Sequence, residues 1–164
     1  MPEQVEIRRA VPEDAAAIAA VLYGSFVEFK SLYTDRAFAA TVLDFEQVLK
    51  RILEGPVWIA WRDGMTIGTV AAVAKGDSAY IRGMAVLPSA RRSGAGAALL
   101  ERVEEWASVD KCRRLLLSTT LFLHSAIRLY ERFGFRRKDG VRDMFGTPLI
   151  TMEKTLNLRV PPVR

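Results

Sequence analysis

Residues 84–103, MAVLPSARRSGAGAALLERV, put Arg91, Arg92, Gly94 and Gly96 where an apolar strand pattern gives way to a helical one. A helix N-terminus presents unpaired N–H groups and a partial positive charge, so anions are stabilised there. Gly94 and Gly96 remove side chains where a phosphate would approach the backbone, and Ser93, Ala95 and Ala97 keep the opening small-sided. Arg91 and Arg92 add formal charge beside it. These features describe a diphosphate cradle; the plainer alternative is a helix start with two glycines and solvated arginines. A P-loop needs Gly-Lys-Ser/Thr at its end, and no Lys follows Gly96. A dinucleotide fingerprint needs Gly or Ala as its sixth residue, where counting from Gly94 gives Leu99.

Other reactive side chains are few. One cysteine, Cys112, and one histidine, His124, leave little for a soft-metal site, and no metal ligand set is expected. Cys112 reads as a small residue at the core edge, since no histidine lies near it in sequence. A single cysteine forms no intrachain disulfide, which fits a reducing cytoplasm. His124 reads as a polar residue near a helix start. Tyr23, Phe26, Phe29, Tyr33 and Phe38 form an aromatic group whose helical spacing suggests core packing.

These residues need elements to hold them. VEIRRA alternates as a first strand; Pro12 opens a helix that Asp14 helps start, with Ala15, Ile18, Ala19, Leu22 and Phe26 on one face. DFEQVLKRILEG is a second helix, with Asp44 and Gln47 at capping-box spacing and Gly55 as its stop. SLYTDRAF, between the two, reads as a loop. PVWIAW and TIGTVAAVA flank Arg62-Asp63-Gly64 as a hairpin, and SAYIRGMAV follows the Gly76-Asp77 turn as a fourth strand. Residues 94–107 form a helix with Ala98, Leu99, Val103 and Trp106 on one side. RRLLLSTT is a strand buried on both faces, HSAIRLYERFG a short helix closed by Gly134, and GFRRK and LITMEKTL two last strands separated by a longer connection. A crossover helix between the fourth and fifth strands makes that pair parallel within a mostly antiparallel sheet flanked by helices, a mixed α/β fold.

The chain has 164 residues, 50% of them hydrophobic, which suits one domain over residues 1–164 with residues 156–164 as a tail or arm. No apolar run approaches the roughly 20 residues of a bilayer-spanning helix, so no membrane association is expected. The MPEQVEIRRA start has no apolar core, which argues against a signal peptide. The net charge of +5 is carried by scattered arginine pairs, not by one basic arm, which disfavours nucleic acid as a partner.

IRGMAVLPSARRSGAGAALL resembles the acetyl-CoA-binding motif of the GNAT N-acetyltransferases, with Arg91, Gly94 and Gly96 at its three defining positions. AIRLYERFGF resembles the second signature of that family, with Ala126, Leu129, Tyr130, Gly134 and Phe135 in register. The resemblance implies the GNAT acyltransferase fold and transfer of acetyl from acetyl-CoA, the cosubstrate, to an unidentified primary amine. It implies that the backbone of Met84, Ala85 and Val86 pairs with the pantetheine arm and that amides from Arg92 through Ser93, Gly94, Ala95, Gly96 and Ala97 hold the diphosphate. Gly83 is placed to loosen strand pairing, and Tyr130 falls at the proton-donor position. Two positions depart from the pattern. Leu123 stands where many members carry Asn, and Ser118 where some carry a Glu base, which leaves the base unassigned and a noncatalytic acyl-CoA-binding domain as the alternative. Glu28 and Glu46, on the segments that commonly line the acceptor side, are the acids to inspect. A homodimer is compatible with the resemblance; the amine and the acyl length stay open.

Overall fold

Alternation in EIRR produces β1 (Glu6–Arg9), antiparallel to β2 (Val57–Arg62). The computed structural model describes residues 4–157. Asp14 locks the entry to the first helix: Arg8 donates to both carboxylate oxygens at 2.8 and 2.9 Å, and the Val11 N–H donates at 2.8 Å. The Arg8 guanidinium thereby holds the Asp14 carboxyl below its ordinary range, with burial working against it. Pro12–Asp14 make one 3-10 turn, and α1 follows at Ala15–Phe26. With the next 3-10 turn, Val27–Leu32, the stretch Pro12–Leu32 reaches 21 residues and holds an 18-residue window of mean hydropathy 1.4. By length and composition it would span a bilayer, contrary to the expectation that no run comes close. Its buried residues, Ile18, Val21, Leu22 and Phe26, instead join the domain core.

The loop expected at 31–38 is in part a helix, α2 (Asp35–Thr41). Thr34 explains it: its hydroxyl oxygen accepts from the Ala37 N–H at 3.2 Å and caps the first turn. α3 (Phe45–Glu54) carries the expected capping box, Gln47 N–H to Asp44 at 2.9 Å and Asp44 N–H to Gln47 at 3.0 Å. Asp63 and Gly64, at φ 52° and 76°, turn β2 into β3 (Met65–Lys75) as two left-handed residues, which matches the twist of a tight hairpin. β4 (Ser78–Val86), α4 (Ala95–Val109), β5 (Arg114–Thr120) and α5 (His124–Arg132) come next along the chain. The last elements are β6 (Arg136–Arg137), β7 (Arg142–Met144) and β8 (Thr147–Thr155). The connection expected before the last strand therefore contains β7, hairpinned onto β8.

The sheet order is β1-β2-β3-β4-β5-β8-β6, with β7 also on β8, and only β4 and β5 among its pairs run parallel. One face packs under α4 through Leu99, Leu100, Val103 and Ala107 against Val70, Ile81, Leu115 and Met152. Ala98, expected on that face, is only partly buried, because Leu100 takes the place beside Leu99. The other face packs under α1 and α3, with Ile18, Leu22 and Val48 against Ile59, Ala71 and Ala85. Leu156, assigned to the tail, is buried and donates its N–H to the Arg113 carbonyl at 2.7 Å. Residues 158–164 lie outside the described part.

Two irregularities in β4 open the sheet. Its ladder with β5 covers only Ser78, Ala79 and Tyr80 against Arg114, Leu115 and Leu116, and beyond that point the strands separate. On its other edge Thr69 faces Ala85 and Ala71 faces Arg82, so Gly83 and Met84 together oppose Val70 as a bulge. The β5-facing edge of residues 81–86 is left without a strand partner.

Candidate active site

The fork between β4 and β5 opens into a cleft of about 1320 Å³. Its walls include Met84, Ala85 and Val86 on one arm, Ser118, Thr119 and Thr120 on the other, and the α4 start and α5 around the mouth. Tyr130 and Arg91, Arg92, Gly94, Ala95, Gly96 and Ala97 all line it, whereas Ser93, expected with them, is not on its wall.

The junction before α4 works differently from its sequence reading in three respects. First, Gly94 caps the helix at φ 87°, a left-handed conformation that favours glycine, and the space where its Cβ would stand is open. Second, a Cβ on Gly96 would lie 2.6 Å from Leu129 Cδ2, so Gly96 also lets α5 approach α4. Third, the amides are not all free. Ser93 N–H donates to the Ala90 carbonyl at 3.2 Å and Ala95 N–H to the Ser93 hydroxyl at 3.2 Å. The first helical bond is Ala98 N–H to Gly94 O at 3.0 Å. Among the described residues, the N–H groups of Arg92, Gly94, Gly96 and Ala97 find no acceptor. Four unpaired donors at and before a helix N-terminus, on residues that line the cleft, suit a diphosphate.

Charge around the cradle is also redistributed. Arg91 is held by the Glu28 carboxylate, which comes from the 3-10 turn after α1. Its charge is therefore compensated, whereas Arg92, at φ 67°, makes no ion pair among the described residues. Glu28 is thereby occupied, and Glu46 sits in the exposed first turn of α3; neither lines the cleft.

Tyr130 is 7% exposed, its ring edge-on to Phe135 at 5.9 Å between centroids. Burial, and secondarily the Tyr33 phenol, push it well above the ordinary tyrosine value, so it stays protonated at neutral pH. Tyr33, expected among the core aromatics, does pack edge-on to Phe122 at 4.8 Å, but it also lines the cleft. Its own phenol is raised by burial, with the Thr120 hydroxyl as a smaller opposing influence. Leu123, in place of the Asn that the resemblance leads one to expect, contributes apolar contact only. Nearby, the buried hydroxyls of Ser25 and Thr120 have no hydrogen-bond partner, and both residues line the same cleft. Two polar groups left open by the protein suit the amides of a pantetheine arm, so the residues present fit coenzyme A.

A contact between distant segments ties the residues before and at the start of α2 to the far end of the sheet. Thr34 N–H donates to Thr147 Oγ1 at 3.0 Å, Thr34 Oγ1 donates to the Phe145 carbonyl at 2.7 Å, and Arg36 stacks over Phe145 at 4.5 Å. α2 is thereby fastened to the β7–β8 turn. Sequence reading missed the cleft residues Arg51, Arg82 and Arg142; the glycine adjoining Arg82 was their one visible signal. The cleft is lined by Arg51, Arg82, Arg91, Arg92, Arg128, Arg132, Arg142 and His124, and by no Asp or Glu among the described residues.

A family model described as the acetyltransferase (GNAT) family matches residues 21–135. An uncharacterized N-acetyltransferase of Bacillus subtilis, YhfO, is 30% identical over 145 residues, 83% of this chain and 93% of that protein. The zebrafish (Danio rerio) N-acetylaspartate synthetase is 32% identical over 113 residues, 68% of this chain but only 40% of the relative's length. The PaiA N-acetyltransferase of Thermoplasma acidophilum, solved in complex with coenzyme A, superposes with a TM-score of 0.78 at 19% identity, over 93% of this chain and 99% of that one. Its likeness is one of fold.

Proposed function

Because the chain belongs to the GNAT acetyltransferase family, we propose that it transfers an acetyl group from acetyl-CoA to a primary amine by direct attack, with both substrates bound together. The observation that carries this reading is the set of free amides at Arg92, Gly94, Gly96 and Ala97, opening onto the same cleft as the Tyr130 phenol. When bound, acetyl-CoA supplies a thioester whose carbonyl carbon is open to a neutral amine.

The residues take up separate tasks. Arg92 and the four amides hold the diphosphate. The unpartnered edge of Met84, Ala85 and Val86 aligns the pantetheine arm as an added strand, and a backbone N–H there stabilises the oxyanion as the C–N bond forms. Ser25 and Thr120 hydroxyls serve polar groups of the arm in place of the missing Asn. As the C–S bond breaks, Tyr130 Oη gives its proton to the leaving thiolate and recovers one from solvent. With no carboxylate on the cleft wall among the described residues, the surplus amine proton leaves to water. Ser118 is exposed on β5 and too weak a base to take it unaided.

Thiol release from acetyl-CoA across a panel of amines, with calorimetric titration of CoA, tests the reading. Micromolar CoA binding with amine-dependent thiol release is expected. Failure to bind CoA overturns the assignment, and binding with no turnover on any amine favours the noncatalytic alternative.

A further inference from the structure

We propose that the acceptor amine carries a carboxylate, and that Arg51 and Arg82 hold this carboxylate at the β4 bulge. The inference rests on the reading of the cleft as an acetyl-transfer site and names the class of its second substrate.

Arg51 reaches the cleft from the C-terminal half of α3, partly buried, with no ion-pair or hydrogen-bond partner among the described residues. The fold makes room for it. A Cβ on residue 83 would lie 2.6 Å from Arg51 Nη1, and residue 83 is a glycine at φ 62°. Arg82 is the immediate neighbour of that glycine on the bulge, and the Nε of Arg82 is buried with nothing to donate to. The one acid paired with Arg82, Glu54, stands 3.8 Å from its Nη2 and 3.7 Å from Lys50, on a half-exposed side chain. Pairs of that kind contribute little and leave the two guanidinium groups without full compensation. Burial, and then repulsion by Arg82, lower Arg51 to about 10, against a smaller attraction by Glu54.

A carboxylate relieves this arrangement. Its two oxygens match the guanidinium fork, accept from the orphaned donor, and replace repulsion between the two arginines with attraction to both. The position suits an acceptor, because the bulge lies where β4 and β5 begin to separate, next to the Met84, Ala85 and Val86 edge. Arg142 of β7 also lines the same cleft. A polyamine would meet a surplus of positive charge there, whereas an amino acid brings its amine and its anchor in one small molecule.

The test uses the full chain. CoA titration comes first, since failure there removes the acetyl-transfer reading itself. With CoA binding established, thiol release is measured for free amino acids, their carboxamides and spermidine. Turnover confined to the carboxylates is expected, with KM raised at least tenfold in Arg51→Met and in Arg82→Gln and CoA affinity unchanged within twofold. Equal or better turnover of the carboxamides or of spermidine overturns the proposal. A second readout does not depend on turnover: calorimetric titration of the CoA-loaded protein with N-acetyl amino acids and succinate. Uptake that both substitutions abolish, in variants that melt near the wild-type temperature, supports it. No uptake of any carboxylate by CoA-loaded protein overturns it while leaving the acetyl-transfer reading intact.

Discussion

Arg91 of the diphosphate loop donates a hydrogen bond from Nη2 to Glu28 Oε1, across 63 residues of sequence. The contact joins the turn after α1 to the approach of α4, and in the proposed site it withdraws one of two arginines from the diphosphate. Both side chains are partly exposed, at 38% and 44%, so the pair contributes only about 0–1 kcal/mol to stability. Glu28→Gln should therefore leave the melting temperature nearly unchanged and tighten CoA binding a few-fold at low salt. Calorimetry at two ionic strengths checks this, and weaker CoA binding in the variant would contradict it.

Tyr130→Phe removes the phenol proposed as proton donor and keeps the ring against Phe135. The thiol-release rate should fall roughly 100-fold or more, with CoA affinity preserved. Because the phenol is held above its ordinary value, the wild-type rate should climb with pH as the acceptor amine deprotonates and show no falling limb up to about pH 10. A decline near neutrality would assign the proton donor to another group.

The two loop glycines should fail in different ways. Gly94→Ala meets no neighbour but places a β-carbon on left-handed backbone, a strain of about 1–2 kcal/mol, and it distorts the amides that face the anion. Weaker CoA binding with modest loss of stability is expected. Gly96→Val drives into Leu129 and should cost about 1–3 kcal/mol of stability. Adding Leu129→Ala should recover part of it, as denaturant melts of the double-mutant cycle would show.

Arg51 gives a pH-dependent signature in stability. Its folded value, about 10, is below the unfolded 12.5, so the unfolded chain binds more protons between these values. The penalty of the buried charge is fully present below pH 10 and lifts as the pH rises through that window. Arg51→Met should therefore be at least as stable as wild type at neutral pH, with the advantage shrinking above pH 10. Matched urea melts at pH 7 and about pH 10.5 measure the difference, and a variant markedly less stable at pH 7 would mean that Arg51 has a compensating partner.

Local patterns are enough for most of the framework. Period-two alternation, the Asp44–Gln47 box and the Asp63-Gly64 turn each act within a few residues, so they can be read before folding. The strand-turn-helix spacing around Gly94 and the register of Tyr130 likewise pick out two segments, which the fold brings to one cleft. α2 escapes such reading because its cap, Thr34, is fixed by Thr147 and Phe145, more than a hundred residues away. For the same reason sequence alone does not show that Leu129 packs against Gly96, and it leaves Arg91 free when Glu28 holds it. Which strand separates from which, and which arginines face the resulting fork, depend on a ladder only three residues long and a bulge at Gly83 and Met84. A chain's own order specifies local conformation and apolar periodicity; the charge balance of a cleft depends on residues brought together from several elements, and only packing decides that.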